Sequence, residues 1–235
     1  MTTLTPPSQA PPERPARAGF SLPLDIVIAP GRAFTKIAKT NEWLPSLGVI
    51  VALGLVTSTL FTPAILHIAI TSGPRPAHPL TPAETRTTQS QIMLGLGARA
   101  VLIPLMMAAL TAAPLTIAAR FSDPQAPYVR YFALATNCLV PSALGDLAHA
   151  IAVAIHPASS YNDIRSLQLA LPDNLGIFAA PGNDRELDFL SHFDIGDAWS
   201  FILIAFGFSL FANVRFTSAL ILAFAMDFVY AFIFD

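Results

Sequence analysis

The sequence predicts an all-α fold: a polytopic helical membrane protein with five transmembrane helices and a short amphipathic helix before the first. Three observations carry that expectation. Only 12% of the 235 residues are charged and 54% are hydrophobic, where a soluble domain carries about 25% charged residues. Mean hydropathy is +0.58. The apolar residues also gather into runs of about 20, the length a helix needs to cross the hydrocarbon core. Net charge is −2, which leaves no basic footprint for nucleic acid. The single cysteine, Cys138, excludes an internal disulfide, a cysteine-based zinc cluster and a CxxC redox pair. Lying in an apolar run, it reads as a small buried residue.

The elements follow in order. Residues 1–22 open with MTTLTPPSQAPPERPARAG. They have no apolar h-region, so they do not read as a signal peptide, and the Pro-rich composition predicts a disordered cytoplasmic tail. No lipidation motif stands at either end of the sequence. The next stretch, PLDIVIAPGRAFTKIAKTNEWLPSL, predicts the amphipathic helix. Pro30 suits a first helical turn. Phe34, Ile37 and Ala38 fall on one face, and Arg32, Lys36 and Lys39 on another. Trp43 follows, where an indole favours the headgroup level. Such a helix is expected in the cytoplasmic interface, binding anionic lipid or a partner, or serving as a positive-inside anchor alone.

Residues 23–235 form the expected membrane domain, with spans at about 44–70, 92–119, 131–155, 198–213 and 217–234. The last two are short and predict a tight hairpin around NVRFTS. Pro104 and Pro114 in the second span and Pro141 in the third predict kinks. Orientation follows from the basic residues. Arg14, Arg17, Arg32, Lys36, Lys39, Arg120, Arg130 and Arg215 fall on one side; Arg75, Arg86, Arg165 and Arg185 fall on the other. Eight against four predicts a cytoplasmic N-terminus and an external C-terminus. The long external loop, 156–197, is acidic and Pro/Gly-punctuated. A loop of that length is functional or partly mobile, with room for short helices.

Two stretches resemble a known family. The Pro30, Phe34, Ile37 pattern, followed by WLPSL and the first span, resembles the opening of Yip1-domain membrane proteins. LSHFDIGDAWSFILIAFGFSLFANVRFTSALILAFA is similar to that family's closing hairpin, with Leu190, Ser191, Asp194, Trp199 and Gly207 at the matching positions. The resemblance covers roughly Pro23 to Phe234 and implies five spans with a cytoplasmic N-terminus. The Pro-rich tail and the long loop depart from it. It implies a non-enzymatic protein that binds partners or lipids and organises the membrane. Eukaryotic members are linked to vesicle traffic and small-GTPase binding. The Ala-, Pro- and Arg-rich, Lys-poor composition looks bacterial, and for a bacterial member the resemblance implies the cytoplasmic (inner) membrane.

Charged groups at membrane depth are expensive and usually find partners inside the bundle. Arg99, Asp146 and Asp227 are such groups, with His149 beside Asp146 and His67 nearby. At about 1.5 Å rise per residue, all four of the first group fall about 9–13 Å from the external end of their spans. Cys138, Ser142, Asp146, Ala150 and Ala154 recur every four residues, as do Ala219, Ala223, Asp227 and Ala231. Small-residue stripes of this kind let membrane helices approach closely, within one chain or between copies, so a homo-oligomer stays open. The expected site is therefore a buried polar cluster in which Arg99 bridges Asp146, Asp227 or both, with His149 alongside. It fixes helix register, or its residual negative charge draws a proton or a cation. Asp146 and His149 at i, i+3 form only a weak metal pattern, and no cofactor or metal is expected.

Enzymatic motifs are absent: no HExxH, nucleophile elbow, P-loop or dinucleotide fingerprint. His156, Ser159 and Ser160 have nothing to orient them. The expected partners are membrane lipids and a membrane or cytoplasmic protein. The alternative function is a small permease or channel-like protein that handles a proton or cation at Arg99, Asp146 and Asp227. A polar cavity reaching that cluster would favour the second reading, and a dry, packed interface the first.

Overall fold

The computed structural model describes residues 21–72 and 81–234, apart from the side chains of 227 and 230–234. Residues 1–20 of the expected tail, and the side chain of Asp227, lie outside the described residues. Among the described residues the regular structure is helical: α1 (Ser21–Ile28), α2 (Pro30–Thr40), α3 (Leu44–Ser72), α4 (Pro82–Arg120), α5 (Tyr128–Cys138), α6 (Val140–Ala154), α7 (Ile164–Gln168), α8 (Asp184–Ser191), α9 (Ile195–Ala212) and α10 (Phe216–Phe234).

Four of these rods are long and apolar enough to cross a membrane: α3, α4, the joined α5–α6 and α9. The expected fifth span is helical, as α10, but its apolar described part is the shorter Phe216–Met226. Two helix starts lie earlier than hydropathy placed them, because capping chemistry sets them. α4 begins at Pro82 instead of 92, where Thr81 and Glu84 form a reciprocal capping box, each satisfying the other's backbone N–H. α9 begins at Ile195 instead of 198, where the Asp194 carboxylate accepts the Asp197 N–H at 2.7 Å. Proline acts unevenly. The helix continues through Pro104 and Pro114 in α4, whereas the third span breaks at Leu139, between α5 and α6. Pro141 has no N–H for the Asn137 carbonyl and its ring crowds that carbonyl.

Asn137 repairs the break. It is fully buried. Its amide donates to the Glu42 carbonyl at 2.9 Å and the Ala133 carbonyl at 2.7 Å, and its side-chain oxygen accepts from the Ser46 hydroxyl. The kink is thereby tied to the start of α3.

The α1–α2 pair is a hairpin docked on the bundle. Asp25 of α1 pairs with Lys36 and, at 3.3 Å, with Arg32 of α2. The Lys36 hydrogen bond, opposed by burial and helped by the charges of Lys36 and Arg32, holds the Asp25 carboxyl below the usual aspartate range. Phe34, Ile37 and Ala33 are buried, against α5 and α9. Phe34 meets Phe206 and Phe211 edge-on, with ring centroids 5.6 and 6.2 Å apart. It fills the gap left by the missing side chain of Gly207, where a Cβ would stand 2.8 Å from Phe34 Cε1 and closer still to Leu134 Cδ1. The apolar face expected to lie in lipid is thus covered by protein. The outward apolar residues are Leu24, Ile28 and Leu44, each more than 60% exposed. Trp43 sits edge-on to Phe132, centroids 5.2 Å apart.

α3 packs against α4 and α6, α6 against α9, and α9 against α10. The main core gathers around Phe34, Leu115, Tyr131, Leu134 and Phe208, near the α1–α2 hairpin. At the opposite end, residues 156–194 form a folded cap with α7 and α8. Its Tyr161 and Leu167 join Ala64, Ile68 and Val153 in a second cluster. The cap end and the hairpin end name the two ends of the bundle below.

Candidate functional site

Between α4 on one side and the α9–α10 hairpin on the other lies a cavity of about 680 Å³, floored by α6 and Ile50 of α3. α4 turns Arg99, Ile103 and Met107 toward it, four residues apart, the spacing of one helix face. α6 and its N-cap contribute Leu139, Ser142, Ala143 and Asp146. α9 contributes Asp197, Ser200, Phe201 and Ile204, and α10 Ala223 and Met226. His192 stands at the cap end.

One close backbone approach builds the acidic side of this site. A Cβ at Gly196 would lie 3.0 Å from the Pro141 carbonyl and 3.2 Å from Ser142 Cα, and one at Gly145 would lie 3.5 Å from Gly196 Cα. With no side chain at either position, α6 and the first turn of α9 touch. Ser142 therefore reaches Asp197, its hydroxyl donating to Oδ1. Asp194, just outside the span, caps the same turn; burial pushes its carboxyl above the usual aspartate range, against the lowering pull of the Asp197 N–H.

Of the four expected cluster residues, Arg99 and Asp146 line this one cavity and both are exposed to it or to its surroundings. No ion pair between them is found among the described residues; the ion pairs are those of Asp25 and of His149. His149 turns the other way. Its Nε2 lies 2.9 Å from the Leu167 carbonyl, its Nδ1 4.0 Å from Asp173 Oδ1, and its ring 5.8 Å from that of Phe61. A carbonyl can only accept, so Nε2 carries the proton. His149 therefore clamps the cap to the bundle. Residues three apart on a helix differ by about 60° in direction, and that angle is enough here to send Asp146 and His149 to different neighbours. His67 is not among the cavity residues.

The sequence placed Ser142 on the small-residue stripe of the third span without making it a site residue, and hydropathy passed over Asp197 and Ser200. The signal for the latter two was present, since Asp197, Ser200, Phe201 and Ile204 recur at i, i+3, i+4 and i+7, a helical stripe. Ser200 is 2% exposed and its Oγ has no hydrogen-bond partner among the described residues. Buried hydroxyls usually have one. No group of three or more potential metal ligands occurs among the described residues.

Comparison of the chain with family models, with curated proteins and with solved structures finds no match.

Proposed function

We propose that this chain is a non-enzymatic integral membrane protein that works by binding a small ligand within the bilayer, as a small permease-like protein. The observation that carries the reading is the cavity, which brings Arg99 and Asp146 to one space together with Ser200. A purely architectural charge cluster would be packed and paired, whereas among the described residues Arg99 and Asp146 face one cavity without an ion pair between them. Sites of this kind span about 300–1,000 Å³, and 680 Å³ falls inside that range. We take the hairpin end as cytoplasmic, from the excess of Arg and Lys there, α10 as a fifth span, and the cytoplasmic membrane of a bacterium as the location.

Cysteine accessibility tests the proposal. Cys138 is fully buried, so it supplies a silent background. An Ile103→Cys variant places a thiol on the cavity wall at a position 39% exposed. A membrane-impermeant maleimide applied from the cap end should label it, and a soluble zwitterion or cation that occupies the site should slow the labelling. Absence of labelling in folded protein would mean a dry, packed interface and would sink the reading.

A membrane-organising role, as the Yip1 resemblance implies, is the second reading. It is favoured by the outer face of the α1–α2 hairpin, where Leu24 and Ile28 are exposed beside Arg32. Retention of a protein partner through this hairpin after mild solubilisation would support it, and loss of that partner in Leu24→Ser/Ile28→Ser would locate the contact.

A further inference from the structure

Three helices grade their cavity faces in the same direction. On α4 the order from the cap end is Arg99, Ile103, Met107; on α6 it is Asp146, Ser142, Leu139; on α9 it is Asp197, Ser200, Ile204. Each face begins with a charge and ends in hydrocarbon. A path for a proton or a hydrated cation needs polar groups or water along its whole length, because hydrocarbon offers nothing to replace them. Here the polar lining gives way to apolar side chains within about two helical turns, roughly 10 Å. Among the described lining residues only Thr111, buried at the far end, departs from the gradient.

We propose that the cavity holds a single-chain amphiphile with a zwitterionic, amine-bearing headgroup, the chemistry of a lysophosphatidylethanolamine. This rests on the reading of the cavity as a binding site. The headgroup assignment follows from charge. Among the described lining residues the cap-end mouth carries two carboxylates, Asp146 and Asp197, against the guanidinium of Arg99, with the His192 imidazole beside them. Asp197 already accepts from Ser142, so Asp146 is the acceptor for the ammonium. Arg99 meets the phosphate, to which guanidinium is well matched. Ser200 lies three residues, about 4.5 Å, below Asp197 along α9. That is the level of the ester and hydroxyl groups just beneath a headgroup, and it gives the buried, unpartnered Oγ its function. The chain then runs between Ile103 and Met107 on one side and Phe201 and Ile204 on the other. A cavity of 680 Å³ admits one acyl chain with its headgroup.

The test uses the full chain purified in detergent and two fluorescent probes of equal acyl length, lysophosphatidylethanolamine and lysophosphatidylglycerol. The zwitterionic probe should bind about tenfold or more tightly than the anionic one, the difference one charge-assisted hydrogen bond makes. Asp146→Asn should erase that preference. Ser200→Ala should weaken both probes by a few-fold without lowering thermal stability, since it removes a hydroxyl that has no partner among the described residues. Ala143→Phe, or Ile204→Trp where that variant does not fold, should block both probes. Equal affinity of the unaltered protein for the two headgroups, or binding that survives a filled cavity, overturns the proposal. If Ile103→Cys is labelled and no lysolipid protects it, the cavity still stands as a site and the amphiphile is refuted. If it is not labelled at all, the binding-site reading itself fails.

Discussion

Gly207 offers a direct test of how the α1–α2 hairpin is held. In Gly207→Ala the new methyl carbon would stand 2.8 Å from Phe34 Cε1 and nearer still to Leu134 Cδ1. Neither neighbour can step aside, since Phe34 is 1% exposed and Leu134 fully buried. Over-packing of this kind costs about 1–3 kcal/mol. Replacing a mid-helix glycine by alanine returns about 1 kcal/mol of helix propensity. The single variant should therefore lose about 0–2 kcal/mol, a range too wide to be decisive alone. The decisive measurement is a cycle with Leu134→Val, which deletes the carbon that Gly207→Ala meets first. One buried methylene is worth about 0.5–1.5 kcal/mol, so Leu134→Val alone should cost about that much. In the double variant the added carbon occupies the vacated space. It should be no less stable than Leu134→Val by itself, with a coupling energy of about 1–2 kcal/mol, within the range for residues in contact. Unfolding in mixed micelles with increasing SDS, followed by helix circular dichroism, gives the four stabilities. Strictly additive losses would refute the claim that Leu134 and Gly207 share one packed space.

Two further outcomes follow from the polar groups at the hairpin end. Asn137→Ala removes the partner of the Ser46 hydroxyl and of the Glu42 carbonyl; each orphaned buried group costs about 1–3 kcal/mol, so a loss of about 2–6 kcal/mol is expected in the same assay, and a loss below about 0.5 kcal/mol would remove Asn137 from its role at the kink. Asp25 has its carboxyl held low in the folded chain by Lys36, so its stabilisation is complete above the unfolded aspartate value of about 4 and is lost as pH falls through the lower folded value. A fluorophore on Gly31→Cys, an exposed position with open space around it, should report a mobile hairpin on acidification through that window. Asp25→Asn should be looser at neutral pH and flat across the same window, and a transition unchanged by Asp25→Asn would exclude this carboxylate as its source.

Legibility differed from residue to residue for physical reasons. The long runs of α3, α4, α5–α6 and α9 were plain because crossing hydrocarbon is a demand on length and composition, both one-dimensional properties. The start of α9 was recoverable too: Asp194 and Asp197 in DIGD are a capping signature, and hydropathy alone ignored it. The amphipathic pattern of α2 was readable as a face with Phe34 and Ile37 on it, but Ala33 completes that face and the expected Ala38 is exposed. What covers that face was not readable, because lipid and the apolar flanks of α5 and α9 make the same demand on a side chain. α1 hid behind a short sequence, although Leu22 and Ile26, with Asp25 between them, have helical spacing.

The polar residues show the limit most clearly. From the sequence, Arg99, Asp146 and His149 could be placed at similar depth, because depth is residue count times rise. Composition also settled that the chain is built from membrane-length helices, with charges at depth that call for an explanation. Azimuth is different. It depends on how each helix is rotated against its neighbours, and that is decided by contacts distant in sequence. The Gly145–Gly196 approach turned Ser142 toward Asp197, and the folded cap drew His149 away to Leu167 and Asp173. α4 and α10 found other helices to pack against, and the space between them became the cavity. Length and hydropathy are summed along the chain, so the sequence alone determined the four long apolar helices. A cavity exists only where surfaces from several helices fail to meet, so tertiary structure alone decided the site.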